Sequence, residues 1–215
     1  MLAILPEVLR AGSVYQRWRD QISDLAEVNL VEPCGIFDKT ADVDVFMLKL
    51  VRRKSNLPSA RKRWPGHRNR RGRTLGDYFT VRVGQLVPFR HRKKGVEYRY
   101  IHPRCVPVWK EMIRFTESRR FEGVVEMPPF VAIRRTSRPE HPYRAAATII
   151  RGDKPVAVEN HLIICEPING TVGQCRELMR QLKTDRVNQF LNRRIRCRHL
   201  TVGSVRAIPF QEDVK

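Results

Sequence analysis

Residues 53–73 constrain the fold more than any other stretch, because they interrupt the apolar patterns that run through the rest of the chain. The stretch reads RKSNLPSARKRWPGHRNRRGR, with basic side chains crowded around two prolines and two glycines. Prolines, glycines and runs of like charge are typical of linkers and loops rather than of helices or strands. The sequence therefore predicts a basic linker between a first segment, 1–52, and a second segment, 74–215.

The first segment has the pattern of a small α/β piece. A short apolar run begins at Leu2 and stops at Pro6, and two longer strand-like runs, 28–37 and 42–50, are joined by a polar turn. Before the longer runs lies a predicted helix, whose apolar face consists of Tyr15, Trp18, Ile22 and Leu25. A two-layer domain needs more strands than these to cover its helix, so we expect the segment to require a partner or a further half.

The second segment has a mixed pattern. Strands are predicted within 74–84, 97–103, 128–137 and 144–168. Two helices with apolar faces follow, the first formed by Val172, Cys175, Leu178, Met179 and Leu182 and the second by Val187, Phe190, Leu191 and Ile195. Thr184, beside Asp185, is a candidate cap for the second helix. The order of elements predicts an α+β domain.

The charge balance points to a polyanionic partner. The formal net charge is +20, from 42 Lys and Arg against 22 Asp and Glu. Such an excess favours a nucleic acid, whose phosphates release counterions when basic side chains neutralise them. A membrane surface is the weaker alternative, because no apolar run has spanning length. For the linker two interpretations stay open: it is a solvated segment, or Trp64 contacts the nucleic acid by stacking or wedging.

The five cysteines form no CxxC pair and show no histidine spacing typical of a zinc site, so no metal site is predicted. An odd number of cysteines without a secretory signal favours reduced thiols in the cytoplasm.

Enzyme motifs are absent from the sequence, so no catalytic residue is predicted. Neither a Gly-rich phosphate loop nor an HExxH sequence nor a nucleophile elbow occurs. Glu126, Glu140 and Glu159 are isolated among basic residues, which predicts ion pairs rather than catalysis. His161 lies in or beside a strand and is interpreted as a structural group.

The stretch 127–130, Met-Pro-Pro-Phe, resembles the tetrapeptide with which adenine-N6 methyltransferases hold their target amine. That chemistry needs a side-chain oxygen that accepts a hydrogen bond from the amine, and an aromatic ring that stacks on the flipped base. Met127 offers no such oxygen, and the stretch follows the strands at 28–50, in the wrong order for that motif. We interpret it as two prolines that lead into a strand.

Other stretches resemble a known family over nearly the whole chain outside 53–73. AILPEVLRAGSVYQRWRDQI and VEPCGIFDKTADVDVFMLKL are similar to the latter part of the catalytic domain in adenine-specific DNA methyltransferases of restriction–modification systems. The second segment is similar to their target recognition domain, and more distantly to type I specificity subunits. Three places carry this similarity, TLGDYFTVRVG, VAVENHLII and RHLTVGSVRAIPF, and they occur in the expected order.

The resemblance implies a mixed α/β protein. Residues 1–52 would form a partial Rossmann-like strand–helix–strand–strand piece, and residues 74–215 an α+β target recognition domain that binds double-stranded DNA in a sequence-specific way. The family places an aromatic residue, which stacks on the flipped adenine, in the loop between the last two catalytic strands. Phe37 matches that position, and the alternative is a buried residue of the hairpin core.

The sequence departs from the family in one respect. The family's Gly-containing cofactor motif and its catalytic tetrapeptide would both precede residue 1, and the sequence contains neither. We therefore expect no methyl transfer from this chain alone, and S-adenosylmethionine binding only after completion by a complementary subunit or N-terminal half. A fragment, a split subunit and a degenerate relative are all compatible with this departure.

Two basic concentrations are the candidate DNA contacts. They comprise Arg134, Arg135, Thr136, Ser137, Arg138 and Arg144 in the first, Arg194, Arg196, Arg198 and His199 in the second, and Asn160 between them. Arginines suit phosphates and guanine edges, and an asparagine suits adenine. Strand alternation predicts that only one of Arg134 and Arg135 faces DNA. A solvated basic face and a structural Asn160 remain the alternatives.

A second function stays open at the level of sequence. It is a stand-alone DNA-specificity or RNA-binding module without a role in methylation. In that case segment 1–52 would close on itself and Phe37 would be buried.

Overall fold

The computed structural model describes residues 1–10, 14–38, 40, 43–52, 64, 72–139 and 141–211. Within them the protein is mixed α/β, as predicted. The strands are β1 (Leu2–Pro6), β2 (Ala26–Ile36), β3 (Asp44–Arg52), β4 (Phe79–Val83), β5 (Val96–Ile101), β6 (Glu111–Met112), β7 (Ser118–Phe121), β8 (Phe130–Arg134), β9 (Ala147–Ile150), β10 (Val156–Val158) and β11 (Leu162–Pro167). The α-helices are α1 (Gln16–Leu25), α2 (Val172–Leu182), α3 (Asp185–Arg194) and α4 (Val202–Arg206), and 3-10 turns span Glu7–Leu9 and Leu75–Asp77. No helix in the described ranges is both long and apolar enough to cross a membrane.

The first segment contains the predicted strand, helix, strand and strand in that order. Its strands form a sheet in the order β1-β3-β2, in which β3 runs antiparallel to both neighbours. Strands β2 and β3 form a hairpin, and the Phe37 amide donates to the Val43 carbonyl (2.9 Å) at its tip. Because side chains alternate along a strand, Phe46 and Leu48 of β3, two residues apart, share one buried face.

Trp64 belongs to the core of this sheet. Its indole is only 5% exposed, and its ring centroid lies 5.7 Å from that of Trp18 and 6.2 Å from that of Phe46. Its Nε1 donates to the Ser23 hydroxyl (3.0 Å). The interpretation of Trp64 as a stacking or wedging contact is therefore wrong for this conformation. The rest of the predicted linker up to 71 lies outside the described residues. We call residues 1–52 together with Trp64 the N-terminal unit.

The sheet of the N-terminal unit is open at β1. Within the described residues β1 pairs with β3 alone, so its outer edge carries no strand. Leu2 and Ile4 point away from the face that holds Phe46, and their side chains are 62% and 57% exposed. An exposed edge beside exposed apolar side chains is what a further strand or chain would cover.

Residues 72–211, the C-terminal unit, contain two sheets. One has the order β4-β11-β8-β9-β6 and the other the order β10-β5-β7. Helices α2 and α3 cover one face of the larger sheet, where Val131 and Ile133 of β8 are buried. Phe130 and Ala132 point to the other face and pack in a second core with residues of β5 and β10. Burial on both faces explains why the FVAI run of β8 is uniformly apolar.

The two predicted helices of the second segment are α2 and α3. Thr184 caps α3 as expected, because its hydroxyl accepts from the Val187 amide (3.4 Å). Thr171 caps α2 in the same way through the Gln174 amide (3.2 Å). These caps fix where each helix begins.

Candidate nucleic-acid interface

The two predicted basic concentrations meet in space. The segment after β8 pairs with residues 198–200: Thr136 forms a β-bridge with His199, and the Ser137 amide donates to the Arg198 carbonyl (2.8 Å). The Leu200 amide also donates to the Arg135 carbonyl (2.8 Å). We call residues 135–138 and 198–200 the paired loops. Their pairing joins residues more than sixty positions apart in sequence.

Backbone hydrogen bonds connect the paired loops to Asn160. The Arg135 amide donates to the His161 carbonyl (2.9 Å), and its Nη1 donates to the Asn160 carbonyl (3.4 Å). The Asn160 amide in turn donates to the Leu86 carbonyl (2.9 Å). The paired loops, Asn160 and the start of the loop after β4 thus form one continuous surface.

Four candidate side chains of the paired loops are exposed. They are Thr136, Arg138, Arg198 and His199. Arg135 is half-buried beside them, whereas the half-buried Arg134 donates from Nη2 to the Val106 carbonyl (3.1 Å). Arg135, rather than Arg134, is the strand-end arginine that adjoins the exposed set.

Positive charge accumulates around His199. Its pKa is lowered, first by partial burial and then by the charges of Arg135, His161 and Arg198. His161 itself lies 2.8 Å from a Glu159 carboxylate oxygen. A site that disfavours an additional positive charge is one that an anion would stabilise.

Other predicted contacts have structural roles. Arg144 is fully buried, and its Nη2 donates to the carbonyls of Ile195 (3.2 Å) and Cys197 (2.8 Å). Ser137 is buried as well. Neither side chain can reach a phosphate, so we remove both from the interface; burial of this kind leaves no mark in the sequence.

The C-terminal arginines Arg194 and Arg196 are partly buried, and their side chains are engaged within the protein. Burial lowers the pKa of Arg194, whose guanidinium carbon lies 6.0 Å from the Phe190 ring centroid. Arg196 donates from Nε to Asp44 Oδ1 (3.3 Å) in the N-terminal unit. Asn160 is half-buried, and its side-chain oxygen has no hydrogen-bond partner in the described residues.

A groove of about 250 Å³ lies between the two units. Its walls are Pro6, Glu7, Val8, Ile36, Val43 and Asp44 from the N-terminal unit and Arg138, Pro139, Cys197 and Arg198 from the C-terminal unit. We call this cavity the shared groove. Two exposed arginines of the paired loops thus line the same cavity as residues at the tip of the β2–β3 hairpin.

Phe37 projects from the hairpin beside the shared groove. Its side chain is 64% exposed, and its neighbour Ile36 and its hydrogen-bond partner Val43 both line the groove. The alternative of a hairpin core residue is therefore wrong, and the ring is free to contact a planar group.

A buried ion pair stands behind the groove. Arg10 Nε donates to Glu7 Oε1 (2.6 Å), and Arg10 Nη2 donates to the Arg193 carbonyl of the C-terminal unit (3.0 Å). Burial raises the pKa of Glu7 despite the neighbouring guanidinium. Together with the Arg196–Asp44 pair, these contacts hold the two units against each other.

Of the isolated carboxylates, Glu126 forms the predicted ion pair with an arginine, Arg82. Glu126 accepts from Arg82 Nε (2.9 Å), and Glu159 accepts from the Tyr100 hydroxyl (2.6 Å) and contacts His161. Glu140 lies outside the described residues. Phe130, the aromatic residue of the Met-Pro-Pro-Phe stretch, is fully buried and offers no ring to a base.

His102, Cys105 and Glu117 bring possible metal-ligating atoms within 4.8 Å of one another, a cluster that the cysteine spacing did not predict. The Arg104 amide donates to His102 Nδ1 (3.3 Å), which places the ring proton on Nε2, where it donates to Glu117 (2.9 Å). In this tautomer the histidine has no lone pair free for a metal, so the cluster is satisfied as a hydrogen-bond network.

Sequence reasoning missed the loop between β4 and β5. Residues 87–94, VPFRHRKK, place the exposed Phe89 among basic side chains that are also exposed. An aromatic residue embedded in a basic run was the available signal.

Comparison with models of known protein families gives no match, and comparison with curated proteins finds no similar protein.

Proposed function

We propose that the chain binds double-stranded DNA in a sequence-specific way, as the target-recognition half of an adenine-N6 DNA methyltransferase. The observation that carries the proposal is the shared groove. One wall contains Arg138 and Arg198, which can contact phosphates. The opposite wall contains Ile36, whose neighbour Phe37 has an exposed ring. A cation-lined cavity beside an exposed aromatic ring suits a nucleotide drawn out of a duplex.

The open edge of β1 supports the methyltransferase part of the proposal. A chain or segment that carries the S-adenosylmethionine motif would extend the sheet along this edge and cover Leu2 and Ile4. On this view the chain contributes DNA recognition and the base-stacking ring, and its complement supplies the cofactor site. The stand-alone alternative also expected a buried Phe37, and the exposed ring counts against that one of its two expectations.

Binding is tested by fluorescence anisotropy at fixed salt, with a randomised duplex pool, single-stranded DNA and double-stranded RNA of equal length. We expect preference for duplex DNA, and selection from the pool to enrich one sequence. Preference for RNA, or equal binding to every duplex, would contradict the proposal.

Methyl transfer is tested with labelled S-adenosylmethionine and the enriched duplex. We expect transfer to adenine only when the product encoded beside this chain is added. Activity from the chain alone would show that it holds a complete catalytic site and would overturn the division of roles.

A further inference from the structure

The loop between β4 and β5 presents a bare aromatic ring. Phe89 is 99% exposed, and its neighbours Arg90, Arg92, Lys93 and Lys94 are exposed too. A phenylalanine in water gives up the stabilisation, about 1.5–3 kcal/mol, that burial would provide. The ring therefore contributes nothing to the fold in this conformation.

The backbone on both sides of Phe89 is held in place. Arg119 Nη2 donates to the carbonyls of Pro88 and His91 (both 3.0 Å). His91 Nδ1 accepts from the Val87 amide (2.9 Å), and its ring packs against Phe121 with centroids 5.3 Å apart. Phe89 thus sits on a prearranged turn, which reduces the entropy lost on binding.

The loop starts from the candidate interface. The Gly84 amide donates to the Leu162 carbonyl (3.0 Å), and the Leu86 amide donates to the Val158 carbonyl (3.0 Å). A Cβ at Gly84 would lie 2.3 Å from the Glu159 carbonyl oxygen, so only glycine permits this approach. Since the Asn160 amide donates to the Leu86 carbonyl, the loop continues the surface of the paired loops.

The charge of the loop selects a polyanion. None of the basic side chains at 90, 92, 93 and 94 forms an ion pair with a carboxylate of the described residues. A run of unpaired cations directly after an exposed apolar ring matches a duplex, whose phosphate backbones run beside the stacked bases. Proteins that bend DNA use such apolar side chains as wedges between base steps.

We infer that Phe89 inserts between two base pairs of bound duplex DNA, while the lysines and arginines that follow it in the loop contact neighbouring phosphates. This inference rests on the proposed DNA binding and assigns a second contact, apart from the shared groove, to a residue outside the predicted set.

The test compares Phe89→Ala and Phe89→Leu with Ile168→Ala, using the duplex enriched for the wild-type chain. Ile168 is 66% exposed and lies directly after β11, whereas Asn160 lies before the start of that strand. Ile168→Ala therefore controls for the loss of an exposed apolar side chain away from Asn160. The probes are anisotropy and the fluorescence of 2-aminopurine, which rises when a base loses its stacking partner, placed at each position in turn.

Phe89→Ala is expected to weaken binding about tenfold and to abolish the 2-aminopurine signal at one step, with an unchanged salt slope, because no charge is removed. Phe89→Leu keeps an apolar wedge and is expected to retain the signal, and Ile168→Ala should match the wild type.

Two results separate the inference from the function on which it rests. If the wild type binds the duplex and Phe89→Ala binds it equally well, the wedge is overturned and the proposed function stands. The same conclusion follows if Phe89→Leu loses the 2-aminopurine signal as fully as Phe89→Ala does. Absence of duplex binding by the wild type would overturn the proposed function itself.

Discussion

Arg196 and Asp44 form an ion pair that joins the two units of the chain, with 3.3 Å between Nε and Oδ1. Asp44 is the first residue of β3, close to Phe37 at the tip of the hairpin, and Arg196 lies just before the paired loops. The pair therefore fixes the two walls of the shared groove relative to each other.

Replacing Arg196 should loosen the groove without removing a DNA contact. For Arg196→Ala we expect the free energy of unfolding to fall by about 1 kcal/mol, because the pair is only half-buried. The slope of log affinity against log salt should stay the same. Thermal unfolding and a salt titration measure these effects, with Arg193→Ala, an exposed arginine of the same helix end, as the control. A slope reduced by one charge at unchanged stability would place Arg196 on the DNA after all.

Arg144 and Arg138 should separate stability from binding. Arg144→Met leaves the carbonyls of Ile195 and Cys197 without their donor, so we expect a loss of about 3 kcal/mol in unfolding free energy. Arg138→Ala should leave the melting temperature unchanged and weaken duplex binding, with a salt slope lower by about one. Denaturant unfolding and anisotropy give both quantities. Unchanged affinity and slope for Arg138→Ala would remove it from the interface.

Phe37 should matter for a base and not for the fold. Because the ring is exposed, Phe37→Ala is expected to change the unfolding free energy by less than about 0.5 kcal/mol. For binding, the probe is a duplex with a mismatch at the target adenine, because that base is already partly unstacked. Phe37→Ala should bind this duplex about tenfold more weakly than the wild type, whereas Phe37→Tyr, which keeps an aromatic ring, should bind it as the wild type does. Equal affinity of the alanine and tyrosine variants would assign the ring no stacking role.

His199 should make DNA binding depend on pH. Its pKa in the free protein is lowered by burial and neighbouring positive charge, and a nearby phosphate would raise it again. Affinity should therefore increase as pH falls below about 6.5, the ordinary value for histidine. His199→Gln should flatten this dependence more than His161→Gln, whose ring already contacts Glu159.

The stability of the free protein should change in the opposite direction. Since the folded-state pKa of His199 is depressed, the stability that it contributes is present above about pH 6.5 and is lost as pH falls through the folded-state value. Thermal unfolding of the wild type and of His199→Gln across this range measures that loss. A wild type that gains stability relative to the variant on acidification would contradict the direction.

Local patterns were enough to predict most elements of the fold. The hairpin of β2 and β3 follows from two apolar runs around a polar turn, and α2 and α3 follow from their apolar faces and from Thr184. Each depends on residues near one another in the chain, which is where periodicity and capping act.

The candidate site was less predictable, because it depends on distant contacts. The pairing of Thr136 with His199 brings together two basic stretches that look independent in sequence. The burial of Arg144 and the ion pair of Arg196 likewise depend on which carbonyl or carboxylate lies nearby after folding. Composition indicates how many cations a chain has, whereas tertiary packing decides which of them remain available.

The position of Trp64 determines where the polypeptide can be divided. A fragment that ends at residue 52 lacks this indole. It would lose the packing of the indole against Trp18 and Phe46 and the 3.0 Å hydrogen bond from the indole to Ser23. A split gene or a complementation experiment should therefore retain residue 64 on the N-terminal fragment. The same indole offers an intrinsic fluorescent reporter, since its emission should shift to longer wavelength when the N-terminal fragment opens to water.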